Sequence, residues 1–590
     1  MRKRSSGIAA TSVVGVALLA AAACGDGRDS FDTGPSGFET DAQADAGDCP
    51  YQCSLDGRSI IRSCTGEVVE TCPTEQACGA AQCQEPCAAA AADRSSNGCE
   101  FHFPLPATSS GEDRGSCFAT FVVNTSTRPV NLALALGGEA LDISKATFRT
   151  NPGDATLIAH DGAIDPGDSV VVFVSEPDPA MSTGVRSRVG CPTGVVPAVL
   201  QGAMRPTGIG SSFQLTANAP VSLVAMYPFG GASSFIPTAT LLLPVVTWGT
   251  QHLVINPWEP NAGRPTTQIV ASEDATEVTI VPKMPIQDGP GVKGTPAKVP
   301  ATYRLDKGQF LQLVQFDELS GSVVTSNKPT TIFGGHECAF VPTPSGACDA
   351  LWQQIPAFEQ WGSEYVGVGY RPRAGTEDET MPYRIVAARD GTRLDYDPVI
   401  PVGAPTEMNA GDVVTFPAGV GDTFVVRTQD ADHPVYLAAY MTGYYGQYFG
   451  SGHLGGQGDP EFVNVIPAGQ WLNSYSFYAD PTYRETSLVI VRAKHHDKFE
   501  DVWLECAGDL PDFRPIGTRG EYEYTRVDLS RNGGPGQTFG DKTCQTGLQR
   551  MRSDGPFTAT LWGWAFAASY AYPGGMAHRK LVTTPLAEVR

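Results

Sequence analysis

Residues Leu319 to Val368 read LSGSVVTSNKPTTIFGGHECAFVPTPSGACDALWQQIPAFEQWGSEYVGV. A polar turn ending in Pro329 opens an apolar run rich in β-branched residues. A glycine- and cysteine-rich loop follows, and Pro356 leads through Trp361 into a second extended run. Short β-branched and aromatic runs bounded by Gly and Pro turns are the pattern of strands. The same order of features stands on both sides of this stretch, so the chain reads as an array of related β units.

Three marks carry the repeat. The first is a glycine turn between extended runs: Asp165-Pro166-Gly167-Asp168, Asp306-Lys307-Gly308-Gln309 and Asn409-Ala410-Gly411-Asp412. The second is a polar turn closed by proline at the head of an apolar strand: Pro220-Val221, Pro329-Thr330 and Pro434-Val435, the prolines 109 and 105 residues apart. The third sets a proline before a tryptophan and an aromatic or His four residues after it: Pro244, Trp248, His252; Pro356, Trp361, Tyr365; Pro467, Trp471, Tyr475. Those tryptophans are 113 and 110 residues apart. Asp554-Gly555-Pro556-Phe557 running into Trp562-Gly563 reads as a degenerate fourth copy. A period near 110 residues with several short strands suits one β-sandwich per unit, and two propeller blades per unit fit the same length. Asp390-Gly391, between extended runs, reads as a hairpin turn.

With 65 Gly and 46 Pro punctuating 590 residues, long amphipathic helices are not expected. Lys and Arg number 41 against 63 Asp and Glu, a formal charge of −22. Such a surface repels phosphate backbones, which excludes nucleic acid as an expected partner.

The N-terminus has the parts of an export signal: Arg2, Lys3 and Arg4, an apolar segment from Ile8 to Ala23, then Cys24. The segment is shorter than the ~20 residues that a comfortable membrane span needs. Leu18-Leu19-Ala20-Ala21-Ala22-Ala23-Cys24 resembles a bacterial lipobox, with Cys24 the lipidated residue and attachment through acyl chains alone. Residues 24–48 carry seven acidic residues against Arg28 and read as an extended, disordered tether. The eight cysteines from Cys49 to Cys99 form a dense module, a disulfide staple being expected in an exported chain; the spacing leaves its connectivity open. Of the other cysteines, Cys338 with Cys348 and Cys506 with Cys544 are the expected pairs, which leaves Cys117 with Cys191. The resulting organisation is a signal peptide (1–23), the tether (24–48), the cysteine module (49–99), and all-β, sandwich-like repeats at 100–258, 259–370, 371–480 and, degenerate, 481–590.

Ser96-Asn97-Gly98-Cys99-Glu100-Phe101, Phe333-Gly334-Gly335-His336-Glu337-Cys338, Trp361-Gly362-Ser363-Glu364-Tyr365, Gly458-Asp459-Pro460-Glu461-Phe462 and Glu523-Tyr524-Thr525-Arg526-Val527-Asp528-Leu529 together resemble the IgGFc-binding protein N-terminal domain family. The resemblance spans roughly Cys99 to Phe566 and implies an extracellular binding domain.

Catalytic signatures are sparse. His336-Glu337-Cys338 lacks the second His of a zinc-protease helix, Phe340 standing four residues on. Lys494-His495-His496-Asp497-Lys498 reads as a solvated turn. The acidic turns Glu273-Asp274 and Asp430-Ala431-Asp432 are calcium candidates without EF-hand spacing. No cofactor is expected. The segments expected to present recognition loops are Pro228 to Pro237, Gly334 to Gln353 and Met441 to Pro460; in the third, Tyr444, Tyr445, Tyr448, Phe449 and His453 stand among glycines, a composition suited to adaptable contact. The expected function is a non-enzymatic surface lipoprotein that binds an extracellular protein, glycan or cell-surface component. A secreted hydrolase with carboxylates converging from distant loops is the alternative. Replacing Cys24 by Ser is expected to shift the protein from the membrane to the soluble fraction on cell fractionation, or to leave it held by an uncleaved signal segment; unchanged acylation of the variant would refute the lipobox reading.

Overall fold

The computed structural model describes residues 50–108, 116–178, 189–204, 206–234, 236–343, 346–373, 375–377, 379–444 and 456–586. The signal segment, Cys24 and the tether lie outside the described residues. Among these residues the chain is built of strands, the α-helix Pro86–Asp93 of the cysteine module being the only one of its kind. Among the described residues no helix is long and apolar enough to cross a membrane.

The second unit shows the plan. Its strand Val323–Ala339 runs through one eight-stranded sheet and changes partners along its length. The first part pairs with Gly249–Leu253 and Thr276–Val281, the second with Pro265–Ala271 and Asp349–Ile355. Pro329, which has no N–H to give to a ladder, stands where the strand passes from one set of partners to the other. Burial changes at the same point: Thr325 to Pro329 are exposed or half-buried, and Thr330 to Ala339 are all buried. The first half of the strand therefore faces water on one side, while the second is covered on both faces and reads as a continuous buried run.

Every unit repeats this plan. The long strand is Phe213–Tyr227 in the first unit and Gly547–Ala565 in the fourth; in the third it is split into Phe424–Thr428 and Val435–Met441. Each long strand hydrogen-bonds to a short final strand: Thr238–Leu241, Asp349–Ile355, Glu461–Asn464 and Ala568–Pro573. These four strands pack side by side in a closed cycle, first on second, second on third, third on fourth, and fourth on first. The Gln353 carboxamide sits inside that cycle, donating to the carbonyls of Ala239 at 2.7 Å, Phe462 at 3.0 Å and Ala571 at 3.1 Å. The units thus form a ring about a common axis.

The proline and tryptophan marks are two halves of one junction. After each of the first three final strands a single 3-10 turn, Val245–Thr247, Phe358–Gln360 or Ala468–Gln470, delivers a tryptophan. Each indole N–H donates to the carbonyl five residues back: Trp248 to Leu243 at 3.0 Å, Trp361 to Pro356 at 3.1 Å, Trp471 to Ile466 at 3.0 Å. The residue after each tryptophan then pairs with the residue after the next unit's proline: Gly249 with Thr330, Gly362 with Val435, Leu472 with Phe557. Four residues past the tryptophan, the Tyr365 hydroxyl bridges Gly362 N to the Val435 carbonyl, and the Tyr475 hydroxyl bridges Leu472 N to the Phe557 carbonyl. His252 takes this place in the second unit, 3.1 Å from the Thr330 hydroxyl. Gly98 pairs with Val221 in the same way, so the first unit opens at Ser96-Asn97-Gly98 without a tryptophan. The sheets therefore group each Trp-led strand with the unit that follows it.

Consecutive junctions stack. A Cβ on Gly98 would come within 2.3 Å of Pro244, one on Gly249 within 2.7 Å of Ala357, and one on Gly362 within 2.3 Å of Pro467, so only glycine fits there. The first mark recurs just as regularly: Gly167, Gly308 and Gly411 all take φ near +75° and their N–H groups bond back to Asn124, Ala271 and Ala387. Aromatic contacts seal all four unit boundaries: Phe118 with Trp352 (6.3 Å), Trp258 with Tyr440 (5.2 Å), Tyr370 with Trp562 (4.9 Å), and Tyr478 stacked on Phe121 (4.4 Å). The ring closes where the segment before the first unit meets the segment after the fourth. Ser96 N donates to the Met576 carbonyl, Ser95 bridges Ala577, and His578 N donates to the Arg94 carbonyl.

Three readings of the sequence need correction. Gly334 and Gly335 lie in the long strand and not in a loop, because a Cβ on Gly334 would sit 1.9 Å from the Ile255 carbonyl; these glycines serve close sheet packing. Asp390-Gly391 does not turn a hairpin, since the strands on either side, Thr380–Ala387 and Thr392–Asp397, belong to different sheets. Trp562 is not the fourth junction tryptophan: it lies inside the strand Gly547–Ala565 against Tyr370, although Pro556-Phe557 does occupy the proline position. Trp361→Ala is expected to destabilise by about 3 to 5 kcal/mol in urea unfolding, the range for emptying a large buried aromatic site, and Trp248→Ala and Trp471→Ala to cost similar amounts. A loss under about 1 kcal/mol at any of the three would contradict their equivalence.

Candidate functional site

The connections from long strand to final strand, residues 228–237, 340–348, 442–460 and 566–567, all leave the ring at the end of the axis opposite the tryptophan junctions. Their lengths differ while the strands they join stay fixed, which is how a rigid scaffold presents recognition loops. The fourth is the tightest: Ala565 pairs with Ala568 around the two-residue tip Phe566-Ala567, with Ala567 at φ +49°. Phe566 is 60% exposed at that tip. Phe316, 62% exposed, lies at the same end with the Arg264 guanidinium over its ring.

The third connection is held at both stems. Arg373, fully buried, is paired with Glu379 at 2.7 Å and donates through Nη1 to the carbonyls of Thr442 (2.8 Å) and Gln457 (3.0 Å). Its Nη2 reaches the Thr442 hydroxyl at 2.7 Å. On the other side Ala567 N donates to the Gly456 carbonyl and Gly458 N to the Ala565 carbonyl, so the returning stem is knitted to the Phe566 tip. Gly443 N bonds to the Val341 carbonyl of the second connection. Tyr444 is buried against Ala347 and Ala567, its ring 5.7 Å from Phe566. Tyr445, Tyr448, Phe449 and His453 lie outside the described residues.

Beneath these loops the ring buries carboxyl groups. Asp349, Asp459, Glu461 and Asp480 are each 1% exposed or less. Asp349 and Glu461 are the first residues of two final strands; the Thr238 hydroxyl, at the head of a third, donates to Glu461 at 3.5 Å. Burial drives the acid pKa values up: Asp459 and Glu461 are held well above the ordinary carboxyl range, and Asp480 is raised to about 6. The nearby Tyr483 and Tyr570 hydroxyls are pushed up by the same burial and by Asp480. These four carboxyl groups are packed inside the ring and do not form the solvent-facing carboxylate pair that a glycosidase uses.

The remaining sequence candidates are engaged in structure. His336 Nε2 lies 3.1 Å from the Glu259 carbonyl, and its Nδ1 accepts from Cys338 N. Glu337 forms a two-point pair with Arg264 at 2.8 and 2.9 Å, and Cys338 is bonded to Cys348. His496 and Asp497, both at positive φ, are the two-residue turn of a hairpin. Among the described residues no set of three His, Cys, Asp or Glu side chains converges as a metal site. Disulfides also join Cys53–Cys78, Cys72–Cys83, Cys87–Cys99, Cys117–Cys191 and Cys506–Cys544, and Cys64 is disulfide-bonded. Cys87–Cys99 fastens the helix of the small module to the opening of the first unit. Sequence reasoning missed Arg373, Phe566 and the carboxyl layer. Arg373 stands some seventy residues before the stem that it clamps, and no local spacing signals that; Phe566 could have been found as an aromatic beside an alanine at a turn.

A family model described as IgGFc binding protein matches residues 238–563. The curated IgGFc-binding protein of Homo sapiens is 26% identical over 258 residues, which cover 43% of this chain and 4% of the human protein. No solved structure matches.

Because the folded-state pKa of Asp480 is raised, its contribution to stability is fully present below the unfolded value of 3.8 and is lost as the pH rises through about 6. Asp480→Asn, which keeps an oxygen for Thr482 N, is expected to gain roughly 3 kcal/mol on wild type between pH 4 and pH 8 in urea unfolding, at about 1.4 kcal/mol per pH unit. A stability difference that does not change with pH would refute the assignment.

Proposed function

The chain belongs to the IgGFc binding protein family, and we propose on that premise that it is a non-catalytic binding protein, exported and held at a membrane by a lipidated Cys24. Its ligand is an extracellular protein or glycoprotein, taken by the loop end of the ring. The observation that carries this reading is the asymmetry of the axis. One end is closed by stacked junctions and by the pairing of residues 94–96 with 576–578, while the other carries four connections of different length, with Phe566 and Phe316 exposed at that end. Large rings exposed at a loop-bearing end are common makings of a protein contact. The human relative is named for binding the Fc part of IgG, which makes an Fc-like glycoprotein the first ligand to try. The acids beneath the loops favour binding over hydrolysis, since all four are closed off from substrate.

The test uses the soluble body from Asp48 onward on a biosensor against the Fc fragment of human IgG and a panel of extracellular matrix glycoproteins. Binding by the wild type should fall by about tenfold or more in Phe566→Ser, and again in Tyr445→Ser/Tyr448→Ser/Phe449→Ser, with thermal unfolding unchanged; loss of one buried aromatic contact commonly costs that much. Affinity that survives both variants would move the contact away from the loop end.

A further inference from the structure

Between the fourth unit and the first lies a cleft of about 290 Å³ that the loop-end reading does not use. We propose that it is a binding site for a carboxylated sugar, a single pyranose bearing one carboxylate. The volume is at the small end of the ~300 to 1,000 Å³ usual for ligand pockets, and a boundary between units is where such pockets tend to form. Gly153 of the first unit forms one edge, and the walls come from the segments around Arg484, Gly533-Gly534 and Gln545-Thr546 of the fourth.

The lining is selective in charge. It contains Arg484 and no Asp or Glu, in a chain with 63 acidic residues against 41 basic. Arg484 is exposed, and its Nη2 makes a 3.3 Å bond to the Asn532 carbonyl. Its Nε and Nη1 have no partner among the described residues. The turn at Gly533, φ +76°, brings the rim against this guanidinium: a Cβ there would lie 3.5 Å from Nε. A planar fork with free donors and no competing carboxylate suits a carboxylate ligand.

The rest of the lining suits the hydroxyls of a ring. The Gln545 carboxamide lies against Gly153, 3.1 Å from where a Cβ would stand, so it spans the two units. Neither this carboxamide nor the Thr546 hydroxyl is used in a hydrogen bond among the described residues. A carboxamide and a hydroxyl each donate and accept, as vicinal sugar hydroxyls do. Pro481 and Pro535 supply apolar contact for the carbon face. A simple carboxylate would satisfy Arg484 alone, and a neutral sugar would leave it unmatched. The combination selects a molecule that has both.

Saturation-transfer NMR on the soluble body from Asp48 onward, with sodium glucuronate, N-acetylneuraminate, glucose and acetate as separate probes, tests the site. Glucuronate or N-acetylneuraminate should bind, and whichever does so names the sugar. Glucose should bind at least about tenfold more weakly, as should the acid sugar to Arg484→Gln, because the charge-assisted pair is lost in both, and acetate should be as weak because it has no hydroxyls for Gln545 and Thr546. Thr546→Val should weaken the acid sugar several-fold without restoring acetate, and both variants should keep wild-type thermal unfolding. No transfer from either acid sugar overturns the proposal. So does undiminished binding in Arg484→Gln, or acetate or glucose binding as tightly as the acids.

Discussion

One carboxamide, that of Gln353, touches three strands that do not belong to its own unit. It can do so only where four final strands converge, and that convergence governs the rest of the molecule. A sandwich standing alone would leave the outer face of its inner sheet in water. In the ring each such face is covered by a neighbour, so Thr330 to Ala339 and Val435 to Met441 are buried without a break. Closure also leaves no final strand as an open edge, which is how radial β architectures avoid edge-to-edge aggregation.

Closure explains why the sequence repeats where it does. The junction residues are constrained twice, by their own turn and by the next unit's proline strand, so tryptophan, glycine and proline recur at fixed spacing. Those positions were legible because each obeys a local rule: an indole that reaches back five residues, a glycine where a Cβ would strike the next junction, a proline where a strand changes partners. The ring was not legible, because no residue announces that unit four meets unit one. The pairing of Ser96 with Met576 and the stacking of Phe121 on Tyr478 join parts of the chain hundreds of residues apart. Gly334-Gly335 misled for a related reason. Glycine signals a loop by default, and only the Ile255 carbonyl pressing on it shows that a strand was meant.

The two ends of the axis divide the work between them. At the junction end, Gln360 donates to the Thr247 carbonyl and Gln470 to the Gln360 carbonyl, while Arg579 N returns to the Gln470 side chain. This polar ladder runs from turn to turn and tolerates little change. At the loop end the constraint is looser, and Arg373 supplies by a single buried guanidinium what the ladder supplies elsewhere, holding both stems of the third connection. The sequence showed the composition of that connection. It did not show the clamp, the Phe566 tip beside it or the acids beneath, since all three depend on contacts made only after the ring closes.

The most direct measurement of this account is a cross-link across the closure. Ser95 and Ala577 face each other as an antiparallel bridge, and Cα atoms so placed lie within the ~4.4 to 6.8 Å that a disulfide spans. Ser95→Cys/Ala577→Cys, oxidised and digested, should give by mass spectrometry an intramolecular peptide joining residues 95 and 577 in the monomer, with raised thermal stability. Finding both cysteines free, or linked only between molecules, would contradict a closed ring.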